Sequence, residues 1–201
     1  VREPRSYAPD RHRQVLRWLS TVLQQKFPES MEVQSYFDVE RRRIVVSANS
    51  SQGNKNIRQF LRDGGLTRLL DSTPASSPDM TARELRHLTK LSRRMDRTIP
   101  AGSEAAEAVF AAIAEGRFEV PKRAYTSQGA GVRLHAERRI QDHVAQQGAA
   151  LDPAQLAGTM RPCGTCASEL ELPPQAHRGP FWQSAPARYG VDIEDLIRQN
   201  Q

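Results

Sequence analysis

Residues 134–166 open on Leu134-His135-Ala136-Glu137 and close on Pro162-Cys163-Gly164-Thr165-Cys166, and the chain is best read outward from these two ends. Cys163 and Cys166 are the only cysteines among 201 residues. Two cysteines cannot build a disulfide framework, so the C-x-x-C spacing leaves a redox pair or a metal site. A redox motif would follow the first strand of a thioredoxin-like pattern. This one lies late in the chain, with a His and a Glu upstream. Thiolate and imidazole together select zinc among common cellular metals. His135, Cys163 and Cys166 supply three ligands, and no second C-x-x-C or well-placed His offers a fourth. Structural zinc sites are closed by four protein ligands, whereas catalytic sites keep one position for water. Ligand arithmetic therefore favours a catalytic site. Glu137 stands two positions after His135, and such residues do not share a face of a regular helix. It therefore reads as a proton carrier beside the metal rather than a ligand. Pro162 suits the start of a second helix, so both motifs fall at helix N-termini, where the dipole stabilises thiolate.

Around this stretch, Asp10 is an N-cap for a helix running to Lys26, with Val15, Leu19, Val22 and Leu23 on one face and Trp18 beside them. Arg11, Arg13 and Arg17 fall outside the stripe and read as solvent-facing. Residues Met31 to Asp38 alternate, with Val33 and Phe37 pointing one way. Arg43 to Asn49 is β-branched and apolar, so the two segments read as a hairpin with Arg41, Arg42 and Arg43 at its tip. The second strand runs out through Ser47-Ala48-Asn49, a common position for ligand contacts. Asn54 to Asp71 reads as two short helices broken at Gly64-Gly65. Thr81 and Glu84 form a capping box for a helix to Arg97, and Ser103 caps an Ala-rich helix that stops at Gly116. Phe118 to Val120 is a short strand. A basic, loop-like run with Lys122, Arg123, Tyr125 and Arg133 leads into a helix from Leu134 to Gln147. That helix turns Ile140 and Val144 inward and ends at Gly148. Ala154 to Met160 is a weak strand, Cys163 to Leu170 a short helix, 179–184 a further strand, and Val191 to Gln199 a closing helix.

Composition sets the outer bounds. The length suits one domain, hydrophobic residues make up 38%, and no apolar run approaches a membrane span. The chain begins at Val1 rather than Met, which reads as a segment of a longer protein. The net charge is +6, and the first 150 residues hold 25 basic against 17 acidic side chains. Such an excess suits a polyanionic partner such as nucleic acid, and equally suits solvated Arg-rich helix faces. His12, His87, His143 and His177 read as ordinary surface or packing histidines.

His-Ala-Glu at 135–137 followed by Pro-Cys-x-x-Cys at 162–166 resembles the signature of the cytidine deaminase-like superfamily. Each half alone is weak, and the two in this order are specific. The resemblance implies an α/β fold: a three-layer α/β/α sandwich with a mixed sheet. Its elements run helix, hairpin, H-x-E helix, strand and P-C-x-x-C helix, then further strands and helices. The chain would form one domain, 1–201, with a helical insertion at about 54–116; a fifth strand is not evident. The resemblance also implies Zn2+ on His135, Cys163 and Cys166, with Glu137 catalytic. An Asn at the end of the second strand often contacts substrate in this family; Asn49 occupies that place, its other reading being a turn or cap residue. Ala136, Pro162, Tyr125 and Arg133 complete the substrate-facing candidates.

The basic loop, the inserted helices and the missing start resemble bacterial toxin and effector deaminases, several of which act on DNA. The implied reaction converts cytosine to uracil and ammonia, most readily in single-stranded DNA. A toxin would be secreted, act in the cytoplasm or nucleus of a target cell as a reduced, disulfide-free domain, and have a companion immunity protein. Two other readings stay open. A deaminase of free nucleosides, nucleotides or RNA is one; free-nucleoside enzymes need no strongly basic surface. A non-catalytic, zinc-stabilised binding domain is the other; such a domain has no use for Glu137.

Overall fold

Alternation along 33–38 and the β-branched run at 43–48 produce the hairpin at the centre of the protein. In the computed structural model, which describes residues 11–66, 104–122, 135–159, 166 and 170–171, β1 (Val33–Asp38) and β2 (Arg43–Ala48) pair antiparallel from Val33↔Ala48 to Asp38↔Arg43. Two short strands flank them. β3 (Phe118–Glu119) lies parallel to β2, and β4 (Leu156–Gly158) lies antiparallel to β1. The sheet is mixed, in the order β3-β2-β1-β4.

Side chains alternate across the sheet, so each strand feeds two cores. Val33, Phe37, Ile44, Val46 and Ala48 join Val15, Leu16, Leu19, Val22 and Leu23 of α1 (Arg11–Lys26). Ile57 of α2 (Ser51–Arg62) and Ala106, Val109, Ala112 and Ile113 of α3 (Glu104–Ala114) complete that core. On the opposite face Tyr36 and Val45 pack with Ile140 and Val144 of α4 (Ala136–Gln146), together with Leu156, Cys166 and Leu170. Helices therefore cover both faces of a mixed α/β sheet. None of them is long and apolar enough to cross a membrane.

The helices start and stop where local chemistry dictates. Ser50 caps α2, its hydroxyl accepting from the Gly53 N–H at 2.8 Å. The helix therefore begins at Ser51, ahead of the expected Asn54. Gly116 and Gly148, with φ of +66° and +75°, end α3 and α4 in the left-handed conformation that glycine adopts without steric cost. The first and last helices of the 54–116 block, α2 and α3, both belong to the main core; 67–103, with the expected Thr81–Arg97 helix, lie outside the described residues. The expected strand at 179–184 and the closing helix at Val191–Gln199 also lie outside them.

Several residues expected at the surface are structural. Arg13 is half-buried and donates from Nε to the Leu156 carbonyl at 3.2 Å, tying α1 to β4. His12, read as a surface or packing histidine, is buried and bonds the Ala154 carbonyl at 3.0 Å. Two of the three arginines at the hairpin tip are engaged internally. Arg41 pairs with Asp38 and reaches the Gln147 carbonyl, and Arg43 meets Asp38, Glu119 and Gln147. The cause is the edge position of β3, which brings Glu119 beside Arg43 at the foot of α4. Arg42 is exposed, with φ of +49°.

Candidate metal centre

His135 is the N-cap of α4, with extended φ/ψ of −65° and 159°, and its side chain makes no cap hydrogen bond. Its Nδ1 lies 3.5 Å from the Cys166 Sγ. Cys166 is 1% exposed. It sits at a helical position whose carbonyl accepts from the Leu170 N–H at 3.0 Å. One ligand atom each from His135, Cys166 and Glu137 falls within 4.8 Å of the others, a group able to hold a metal ion.

Glu137 comes closer to the pair than regular helix geometry would allow. The rule that residues i and i+2 diverge applies inside a helix, and His135 stands just outside α4 in extended backbone. Glu137 is 1% exposed, in the first turn, where the helix dipole favours a carboxylate. Its Oε1 accepts from Gln34 Nε2 at 3.3 Å.

Asn49 lies just past the end of β2 and serves α4 directly. Its Oδ1 accepts from the Ala136 N–H at 2.7 Å, one of the first-turn amides that have no acceptor within the helix. Its Nδ2 donates to Glu32 Oε2 at 2.9 Å. Asn49 thus bonds the first residue of a helix that lies 87 positions further along the chain. Behind it, buried Arg139 reaches toward the Asn49 carbonyl at 3.5 Å, and burial pushes its guanidinium below its ordinary pKa.

Of the sequence-derived site residues, the structure brings together His135, Ala136, Glu137, Cys166 and Asn49. Cys163, Pro162, Tyr125, Arg123 and Arg133 lie outside the described residues; Lys122, at the start of the same basic run, is exposed. Sequence reading missed Glu32 and Gln34. In a strand that alternates, Glu32, Gln34, Tyr36 and Asp38 look like a solvated face, yet all four are buried. The available signal was the polar character of a face that α4 must cover. His143, read as an ordinary histidine, bonds Glu119 Oε2 at 2.7 Å near the far end of α4.

No known protein family, curated protein or solved structure matches the chain. The site's chemistry therefore rests on its own residues.

Proposed function

We propose that the protein is a zinc-dependent deaminase converting cytosine to uracil in DNA, with His135, Cys163 and Cys166 as metal ligands and Glu137 as the proton carrier. The observation that carries the reading is the 3.5 Å separation of His135 Nδ1 and Cys166 Sγ beside buried Glu137. With Zn–S of roughly 2.3 Å and Zn–N of roughly 2.0–2.1 Å, a tetrahedral angle separates the two donors by about 3.5–3.6 Å. A thiol–imidazole hydrogen bond spans a similar distance, so metal content is the first measurement. The soft thiolate and imidazole donors fit zinc better than the hard, oxygen-preferring ions. The element order of helix, hairpin, H-x-E helix and strand supports the deaminase-like arrangement.

Bound zinc would supply an acidified water at neutral pH. Glu137 would carry a proton to the ring nitrogen of cytosine as the oxygen of water adds to C4, and then to the exocyclic amine, which leaves as ammonia when the C4–N bond breaks. Asn49 and the buried wall around it hold the N-terminus of α4, and with it His135 and Glu137, in one orientation.

A nucleic-acid substrate is supported by the cationic excess of the first 150 residues and by exposed Arg17, Arg42, Lys55, Arg62 and Lys122. Single-stranded DNA leaves the target base free of the cost of extrusion. In the toxin reading the same chemistry would be harmful to a recipient cell, and an immunity protein would guard the producer. The test is incubation of zinc-loaded protein with cytosine-containing single- and double-stranded oligonucleotides, followed by uracil-specific cleavage. Conversion that disappears in Glu137→Ala while zinc stays bound is the expected result. No conversion of either substrate by protein holding one zinc would overturn the DNA reading. Activity on free cytidine that is insensitive to salt would move the substrate to nucleosides.

A further inference from the structure

Four polar groups from three separate elements meet under the N-terminus of α4. Glu32, immediately before β1, is only 6% exposed, yet its carboxylate is engaged on both oxygens: Oε1 accepts from Gln34 Nε2 at 2.7 Å and Oε2 from Asn49 Nδ2 at 2.9 Å. Each of these amides then uses a second atom on α4. Gln34 Nε2 also donates to Glu137 Oε1 at 3.3 Å, and Asn49 Oδ1 accepts from the Ala136 N–H at 2.7 Å.

An amide side chain has two nearly isosteric orientations, and its neighbours decide between them. The Glu32 carboxylate can only accept, so both amides must turn their NH2 groups toward it. For Gln34, this sets one NH2 between two carboxylates, Glu32 and Glu137. The reverse orientation would place a carbonyl oxygen against both. For Asn49, turning Nδ2 to Glu32 leaves Oδ1 as the atom that faces α4, where the Ala136 N–H needs an acceptor. One carboxylate thus fixes two amides, and both deliver that orientation to the segment carrying His135 and Glu137.

β4 completes the arrangement. A Cβ on Gly158 would lie 2.0 Å from Gln34 Oε1, 2.1 Å from its Cδ and 2.4 Å from its Nε2. Only glycine lets the Gln34 amide lie against the β4 backbone, opposite which it is registered as Gln34↔Gly158.

We propose that Glu32, Gln34 and Gly158 are positioning residues for the candidate centre: Glu32 orients two amides, through which Gln34 holds the Glu137 carboxylate and Asn49 caps α4 at Ala136. The assignment of Glu137 as proton carrier rests on the deaminase reading; the orientation of the amides does not.

The experiment therefore uses two readouts on the full, zinc-loaded chain. The first is hydrogen exchange of the Ala136 backbone amide by NMR, together with the side-chain NH2 signals of Gln34 and Asn49. Glu32→Gln is isosteric but brings a donor of its own, so it cannot accept from both amides. It is expected to speed Ala136 exchange at least about tenfold, because the loss of an N-cap acceptor opens the first turn. Gly158→Ala, which displaces the far end of a side chain rather than backbone, is expected to shift the Gln34 NH2 signals and leave those of Asn49 in place. The second readout is the split of kcat from KM on a cytosine oligonucleotide. Gln34→Leu and Gly158→Ala are expected to lower kcat by about 10- to 100-fold at nearly constant KM and full zinc content, the range typical of groups that support a metal site from behind. Glu32→Asp, which keeps an acceptor-only group, should recover part of the loss seen in Glu32→Gln.

Unchanged Ala136 exchange in Glu32→Gln overturns the positioning role, whatever the activity. Unchanged kcat in both Gln34→Leu and Gly158→Ala overturns the link to Glu137. A wild-type protein that binds zinc, shows the protected amides and deaminates nothing refutes the deaminase reading while leaving the amide orientation established.

Discussion

Replacement of Asn54 by Leu tests how the end of β2, and with it Asn49, is held. β2 outruns the two-residue β3, so the Ala48 N–H and C=O point to where a longer neighbouring strand would lie. Asn54, from the first turn of α2 and 3% exposed, supplies the missing pairing. Its Oδ1 accepts from the Ala48 N–H at 2.8 Å and its Nδ2 donates to the Ala48 carbonyl at 3.2 Å. Leucine fills a comparable volume and leaves both buried backbone groups without that partner. Each such loss costs about 1–3 kcal/mol, and the pair together about 2–4 kcal/mol, since the Ser47 hydroxyl still reaches the Ala48 carbonyl. Urea unfolding of chelated protein, followed by the fluorescence of buried Trp18, measures the loss free of any contribution from metal binding. The midpoint should fall with an unchanged slope, while Lys55→Ala, at the exposed neighbouring position, should change stability by less than about 0.5 kcal/mol. A loss below about 1 kcal/mol for Asn54→Leu would refute the claim that this side chain substitutes for a strand.

Three further outcomes are expected. Zinc at a hundredfold excess over its dissociation constant should add about 2.7 kcal/mol to stability, which is about 5–10 °C in Tm for a chain of this size; a chelator should remove that increment in wild type, and Cys166→Ser should show little of it in a thermal scan. Burial alone would raise the pKa of Glu119, but hydrogen bonds from His143 and Gln147 and the Arg43 charge outweigh it and hold the carboxyl below its ordinary value. A depressed carboxylate adds stability above its unfolded pKa and loses it as pH falls through the folded value; with the side chain 31% exposed the contribution is no more than about 1 kcal/mol, and Glu119→Gln should flatten the fall of the urea midpoint below about pH 4.5. Gly148→Ala meets no atom within 4 Å and differs only in φ, so its cost, measured by the same unfolding, should be about 1–2 kcal/mol from backbone strain alone.

The parts of the fold legible in the sequence were those governed by local rules. The α1 stripe, the hairpin, the short strand at 118–119 and the glycine stops at 116 and 148 all follow from periodicity and φ preferences. The start of α2 was missed because Ser50 reads as a turn residue until its hydroxyl is seen to accept from Gly53. Arg13, Arg41 and Arg43 were missed for a different reason. Their partners, Leu156, Gln147 and Glu119, lie far off in sequence, and an arginine outside an apolar stripe carries no mark of them. At the candidate site, His135 and Cys166 were legible as possible ligands because metal-ligating chemistry restricts residue type, and Glu137, read as a proton carrier, falls within the same group. Glu32 and Gln34 were not, because alternation marks a face as polar without saying whether water or protein covers it.

That ambiguity bears on the choice between a catalytic and a merely structural metal domain. Burying Glu32, Gln34 and Glu137 between a sheet and a helix is unfavourable compared with apolar packing of the same volume. One to two turns further along α4, Tyr36 and Val45 of the same sheet face pack against Ile140 and Val144. Polar groups are buried or half-buried at the far end of α4 as well, where Asp38, Arg43, Glu119, His143 and Gln147 pair with one another; the end that carries His135 differs in that its polar contacts reach the Glu137 carboxylate. A structural zinc site needs its ligands held, which apolar packing accomplishes at lower cost. It has no requirement for a carboxylate that is oriented by an amide, which is in turn oriented by a second carboxylate. A site that must present one carboxylate oxygen in a fixed direction beside a metal has that requirement, because proton transfer depends on geometry within hydrogen-bond reach. Gln34 gives that orientation to the Glu137 carboxylate beside His135 and Cys166, and on that ground we propose the catalytic reading of Glu137 ahead of the structural one.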